Sequence, residues 1–161
     1  LIDAYMALPV RRRQRLPLVL AGAPGWPNRA LRERIDRLVC AGELRYLGYI
    51  PCEHRPALYA GARAFAYPAL YEGFGLPPLE AMACGTPVLT SDCSAMPEVA
   101  GEAALTVNPR DVEAIREALQ RLCEDDILRQ QLGTAGHARA AGFTWARCAK
   151  RTAAVYEKAV A

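Results

Sequence analysis

The 161-residue chain is poor in lysine and histidine. Lys150 and Lys158 stand against eighteen arginines, and His54 and His137 are the two histidines. A formal net charge of +3 is too small to argue for a nucleic-acid partner. No stretch approaches the roughly 20 apolar residues that a membrane span requires, and no signal peptide is visible. Cys40, Cys52, Cys84, Cys93, Cys123 and Cys148 form no C-x-x-C pair, and neither histidine sits at zinc-ligand spacing from one of them. Most fall in apolar helical contexts, where a free cysteine behaves as a small hydrophobe. They read as reduced thiols in a cytosolic compartment. Internal repeats and low-complexity tracts are also missing, which argues against a solenoid, a fibre or a disordered tail.

What is present is an ordinary globular composition, long enough for one domain with a hydrophobic core. The run Arg11-Arg12-Arg13-Gln14-Arg15 is the one basic cluster. It is expected to be a solvated loop after a helix, with a phosphate or an anionic membrane surface as the alternative. Leu1, Ile2, Tyr5 and Leu8 already keep helical period, so the chain is expected to open inside an amphipathic helix, with residues missing ahead of it.

Short apolar runs alternate with segments of helical period. Strands are expected at 17–22 ("PLVLAG"), 44–50 ("LRYLGYI"), 63–68 ("RAFAYP"), 86–91 ("TPVLTS") and 103–108 ("AALTVN"). Helices are expected at 28–42, with Leu31, Ile35, Leu38 and Val39 on one face, and at 53–62 and about 77–84. Further on, Asp111 caps a helix turning Val112, Ile115, Leu119 and Leu122 inward, another runs from about 125 to 141, and Thr144 caps the last. The face of that last helix carrying Trp145 and Tyr156 is expected in the core. Such alternation means an α/β fold, a Rossmann-like three-layer αβα sandwich around a parallel sheet, whose ligands bind at the carboxyl ends of the strands.

The stretch "YEGFGLPPLE" (71–80) follows the third strand and so lies at that edge. Gly73 and Gly75 permit backbone conformations and close approaches that a Cβ would forbid. Pro77 and Pro78 set the start of a helix. Free amides of the turn and helix N-terminus then favour an anion, above all phosphate. Glu80 is expected in the first helical turn, where the macrodipole alone would account for it. Glu72, beside Tyr71 and Phe74, has no such explanation and is the stronger candidate for a ligand role.

With "EAMACGTPV" (80–88), "PEVAGEAA" (97–104) and "NPRDVEAI" (108–115), this Glu–seven residues–Glu element resembles the donor-binding half of retaining group 1 (family 4) glycosyltransferases, enzymes of the two-Rossmann-domain (GT-B) architecture. The upstream "LVLAGAPGW" and "LGYI" fit as well, as does the closing "FTWARCAKRTAAVY", and "LAGAPGW" with "LYEGFGLPPLEAMACGTPV" looks most like the bacterial mannosyltransferases of polysaccharide assembly. The resemblance implies that residues 1–161 are a single nucleotide-sugar-binding domain, the C-terminal half of a two-domain enzyme, with 144–160 as a bracing helix. It implies that Glu80 holds the ribose hydroxyls and that Glu72 lies at the transferred sugar. Gly73, Phe74, Gly75 and Leu76 would offer backbone contacts to sugar and diphosphate, and Tyr49 and Ile50 would face the nucleobase. GDP-mannose is the first donor choice; no other cofactor and no metal is implied. The acceptor, a glycan or lipid-linked molecule, would bind through an N-terminal domain absent here. The location implied is the cytoplasm, with a peripheral contact at the inner face of the membrane as an option.

The family's upstream Arg and Lys, which clamp the diphosphate, have no counterpart, and neither has the first strand of the complete domain, which would be central in the sheet. A nucleotide-sugar-binding module without catalysis is therefore the alternative. "GAPGW" (22–26) lacks the G-x-G-x-x-G spacing and reads as a turn. Ser91 and Ser94 lack a nucleophile-elbow context. Glu98 and Glu102 are expected at caps and turns.

Overall fold

The computed structural model describes residues 1–23, 25 and 28–160. The turn expected at 22–26 falls partly outside them. Five short strands alternate with helices: β1 (Leu18–Leu20), β2 (Leu44–Tyr46), β3 (Phe65–Tyr67), β4 (Val88–Ser91) and β5 (Leu105–Val107). Each lies inside a segment expected to be a strand.

All pairings are parallel, but the strands form two groups, β1–β2 and β3–β4–β5. Among the described residues, the second edges of β1 and β3 pair with no strand. A cavity of 790 Å³ lies between them, lined by Leu18, Leu20, Ala64 and Ala66 among others. The consequence shows in β1, an apolar run that should be buried. Val19 is 38% exposed, because a strand paired on one side cannot be covered as a central strand is.

β4 is the covered centre of the larger group, with all four residues buried. Its side chains alternate across the sheet. Leu89 joins Ala4, Ile115, Ala118, Leu122 and Leu132, from α1 (Ile2–Met6), α7 (Val112–Glu124) and α8 (Asp126–Ala140). Val88 joins Ala81 and Met82 from α5 (Leu76–Ala83), Ala100 from α6 (Met96–Ala100), Ala103 from the turn that follows it, and Ala140 from the end of α8. The result is the three-layer arrangement. α5 and α8 approach closely because α8 carries glycines at the contact: a Cβ on Gly133 would lie 2.5 Å from the Gly85 carbonyl oxygen.

Several expectations are corrected. The basic run is no loop: it forms α2 (Val10–Arg15), where Arg12 pairs with Glu124 at 2.5 Å and Arg13 pairs with Glu43. These partners come from α7 and from just ahead of β2, so half of the basic cluster ties the N-terminal segment to the body. α3 (Arg29–Cys40) buries none of its residues, and Leu31 and Val39 are exposed. In α7, Ile115 and Leu122 are buried but Val112 is 44% exposed. α4 (Arg55–Gly61) is preceded by a single 3-10 turn, Cys52–His54, and α6 is a helix beyond those expected, with Glu98 in its first turn. α9 (Trp145–Val160) buries nothing: Trp145 is 80% exposed and Tyr156 68%. Its apolar face is not core. That face has no partner among the described residues, as the periodicity of an amphipathic helix permits when it packs on something else.

Candidate functional site

The carboxyl ends of β1, β2 and β3 converge on the mouth of the cavity. Gly22, after β1, donates its N–H to the Gly48 carbonyl, after β2, at 2.7 Å. Gly48 itself holds φ +65°, which turns the chain toward Tyr49 and Ile50. Both residues line the cavity, together with Arg55, Tyr59, Tyr67 and Pro77. Tyr49 is 67% exposed.

The 71–80 stretch crosses beside this mouth. Its two carboxylates do not line the cavity themselves, but each is held by a tyrosine that does. Tyr59 of α4 donates its hydroxyl to Glu80 Oε2 at 3.0 Å, and Arg55 Nη1 stands 3.5 Å from Glu80 Oε1. Tyr67, the last residue of β3, donates to Glu72 Oε1. Burial, the Glu80 charge and the hydrogen bond all push the Tyr59 phenol upward. Burial and Glu72 push that of Tyr67 up to about 12. Both hydroxyls therefore remain donors across the physiological range.

The backbone between the carboxylates is fixed at both ends. At Glu72, the N–H donates to Ser94 Oγ at 3.0 Å, and the Ser94 hydroxyl donates back to the Glu72 carbonyl at 2.8 Å. Ser94 does this at φ +58°, the one non-glycine residue with positive φ among the described residues. At the other end, Gly75 is the N-cap of α5 with φ +100°, and a Cβ there would lie 2.2 Å from Met96 Cε. Phe74 rests edge-on against Phe143, centroids 6.0 Å apart, and Arg139 lies over the other ring at 5.3 Å. Arg139 in turn donates to the carbonyls of Glu98 and Val99 at the end of α6.

Two sequence readings change here. Gly73 has open space around its Cβ direction and no positive φ, so only Gly75 of the pair is required by the backbone. α5 starts at Leu76, which makes Glu80 its fifth residue, beyond the first turn. The helix macrodipole falls off within that turn, so the helix start no longer accounts for Glu80. Pro77 and Pro78 have no N–H to offer. Among the described residues, the N–H groups of Gly73, Phe74, Gly75 and Leu76 have no acceptor. Four consecutive free amides thus run between two fixed carboxylates.

Sequence reasoning missed Ser94, Tyr59 and Tyr67. Ser94 was weighed only as a nucleophile. The tyrosines looked like strand and helix residues, and nothing local signals a partner 21 positions away. Elsewhere, His137 Nδ1 lies 2.9 Å from the Ala83 carbonyl at the end of α5, a capping contact. No group of three potential metal ligands occurs among the described residues. No helix among them is long and apolar enough to cross a membrane.

Comparison with known proteins adds the following. The family model described as glycosyl transferases group 1 matches residues 1–139. O-antigen chain mannosyltransferase B of Escherichia coli is 45% identical over 157 residues, covering 98% of this chain and 41% of that protein. The MMP alpha-(1->4)-mannosyltransferase of Mycolicibacterium hassiacum is 39% identical over 165 residues, covering 100% of this chain and 39% of that protein. Among solved structures, Anabaena HepE in complex with UDP-glucose superposes with a TM-score of 0.83 at 21% identity, over 98% of this chain and 44% of that one. The chain therefore spans less than half the length of each, and at that identity HepE shows a shared fold.

Proposed function

The chain belongs to the group 1 glycosyl transferases, and from that premise we propose that it is the donor-binding part of a retaining hexosyltransferase acting on a nucleotide-sugar. Mannosyl is the favoured sugar, since the relatives described above are mannosyltransferases, and GDP-mannose the favoured donor. The acceptor, a glycan or a lipid-linked molecule, would meet the donor on a surface outside this chain. Catalysis is placed in the cytoplasm, where nucleotide-sugars are at hand, with a peripheral membrane contact if the acceptor is lipid-linked.

One observation carries the reading: Glu72 and Glu80, each held by a tyrosine hydroxyl, bracket the free amides of Gly73 to Leu76. A ribose diol asks for a carboxylate that can accept two hydrogen bonds, which is the role of Glu80. A diphosphate asks for backbone N–H groups at a helix start, which 73–76 supply. Glu72 then lies at the sugar, taking its hydroxyls and facing positive charge that develops at the anomeric carbon as the bond to the diphosphate breaks. The amides and the N-terminal end of α5 meet the negative charge that the leaving diphosphate gains, so the reading calls for no metal. Tyr49, exposed beside the same mouth, and Ile50, half-buried next to it, are placed at the nucleobase.

Calorimetry on the full-length protein tests this, with GDP-mannose, UDP-glucose, UDP-N-acetylglucosamine and ADP-glucose as probes. One nucleotide-sugar should bind preferentially, and Glu80→Ala should weaken it about 10- to 100-fold, the worth of hydrogen bonds to a charged group. Equal binding by wild type and variant would return Glu80 to a structural carboxylate. Binding without any transfer by the full-length protein would favour a non-catalytic module.

A further inference from the structure

Three aromatic rings stand in a row beneath the two carboxylates. Phe65, the first residue of β3, meets the Tyr59 ring edge-on at 5.2 Å and stacks on the Tyr67 ring at 5.9 Å, 17° from parallel. The outer rings carry the hydroxyls that reach Glu80 and Glu72. The two carboxylates sit eight residues apart across a loop and a helix start, yet both are referenced to one strand and one ring, Phe65.

We propose that Tyr59 and Tyr67 are positioning residues that set the orientation of the two donor-binding carboxylates, with Phe65 as the spacer between them. The proposal rests on the donor-site reading above and adds to it a division of labour: Tyr59 serves the nucleotide end through Glu80, and Tyr67 serves the sugar end through Glu72. The chemistry suits the task. A carboxylate has about four lone-pair sites. One tyrosine hydroxyl occupies one of them, fixes the plane of the group and leaves the remainder for a ligand diol. A charged partner would instead neutralise the acceptor. At Glu80 the guanidinium of Arg55 is 3.5 Å away from the other oxygen, farther than the tyrosine, so the phenol holds the closer contact. An unanchored glutamate would have to lose the freedom of its rotatable bonds on each binding event. Aromatic packing holds both phenols in place before any ligand arrives.

Tyrosine-to-phenylalanine substitution removes the hydroxyl and keeps the ring row, so stability and positioning can be separated. The experiment titrates the full-length protein with two probes, GDP and GDP-mannose, by calorimetry, and records the thermal midpoint of every variant. Tyr59→Phe should weaken both probes by a similar factor, about three- to ten-fold, because both carry the ribose. Tyr67→Phe should weaken GDP-mannose by about that factor and leave GDP unchanged. Glu80→Ala and Glu72→Ala, measured alongside, are expected to show the same two patterns more strongly. If the glutamate variants behave so and both tyrosine variants bind like wild type, the positioning role is overturned and the donor site stands. If Tyr67→Phe weakens both probes in step with a fall in thermal midpoint, its role is structural and the proposal is overturned. Glutamate variants with no effect on either probe would sink the donor-site reading and this proposal with it.

Discussion

Gly73 and Gly75 look equivalent in "EGFGL", and alanine substitution should separate them sharply. At Gly75 the backbone holds φ +100°, and placing an L-residue in left-handed space costs roughly 1–2 kcal/mol. The new Cβ would also lie 2.2 Å from Met96 Cε. Met96 is fully buried, so this flexible terminal methyl must shift within packed surroundings, and overpacking of this kind costs roughly 1–3 kcal/mol. The two terms together destabilise Gly75→Ala by roughly 2–5 kcal/mol, which for a domain of this size lowers the thermal midpoint by roughly 5–15 °C. Gly73 has neither constraint. There alanine mainly reduces the freedom of the unfolded chain, worth about 0.4–1 kcal/mol in favour of folding, so Gly73→Ala should melt at or slightly above the wild-type temperature. Thermal unfolding followed by circular dichroism gives both values. Calorimetry with GDP-mannose should show Gly75→Ala losing affinity as well, because relieving the clash moves the amides of 73–76. A Gly75→Ala protein that melts within about a degree of wild type would refute the argument. It would mean that Met96 yields freely and that the turn is not held by this residue.

Other substitutions test the packing beneath the site. Gly133→Ala lies inside α8, where alanine ordinarily gains about 1 kcal/mol of helix propensity. Here its Cβ would press on the Gly85 carbonyl oxygen, a backbone atom, at 2.5 Å. The clash should win, with a net loss of about 1 kcal/mol and a lower midpoint in thermal melts; a rise would show that α5 and α8 can separate without cost. Ser91 Oγ is buried with no hydrogen-bond partner among the described residues, so Ser91→Ala should stabilise by about 1 kcal/mol in urea unfolding, and a clear loss would reveal a partner. The tyrosines predict the alkaline limit. Tyr5, Tyr59 and Tyr67 hold their protons more tightly folded than unfolded. Their contribution is fully present below about pH 10, where the unfolded chain is still protonated, and is lost as pH rises through the folded value, about 12 for Tyr67. The tyrosine contribution to the urea midpoint should therefore be level to about pH 10 and fall above it, so the alkaline fall is less steep in Tyr67→Phe; an identical slope in that variant would contradict the shift.

Much of this molecule is legible in its sequence because its signals are local. The strands at 18–20, 44–46, 65–67, 88–91 and 105–107 are short apolar runs bounded by glycine, proline or asparagine, and α7 and α8 begin at the aspartates that cap them, Asp111 and Asp125. The errors arise where burial depends on partners. α3 and α9 have periodic apolar faces, and periodicity says that a face seeks cover without saying what covers it. The same limit applies to the site. Glycine spacing marks a turn, but only the folded backbone, with Gly75 at φ +100° and packed against Met96, distinguishes that glycine from Gly73. Ser94, at φ +58° and tied twice to the Glu72 backbone, sits in a sequence context that announces neither property. Tyr59 and Tyr67 became visible as site residues only once the chain was folded.

The geometry also links the site to the open side of the sheet. β3 carries Phe65 and Tyr67, and through them both carboxylates are referenced to it, yet β3 pairs with β4 alone among the described residues. Its other edge borders the 790 Å³ cavity, together with β1, which leads by way of Gly22 and Gly48 to Tyr49 and Ile50. Unpaired strand edges are held less firmly than paired ones, since half of their backbone groups lack ladder partners. The residues placed at the nucleobase follow β2, and those placed at the ribose and sugar are anchored through β3 and the ring of Phe65. A substitution that loosens the pairing of β3 with β4 should therefore disturb the anchoring of both carboxylates together, which thermal unfolding and calorimetry on the same variant would show as a joint loss of stability and affinity.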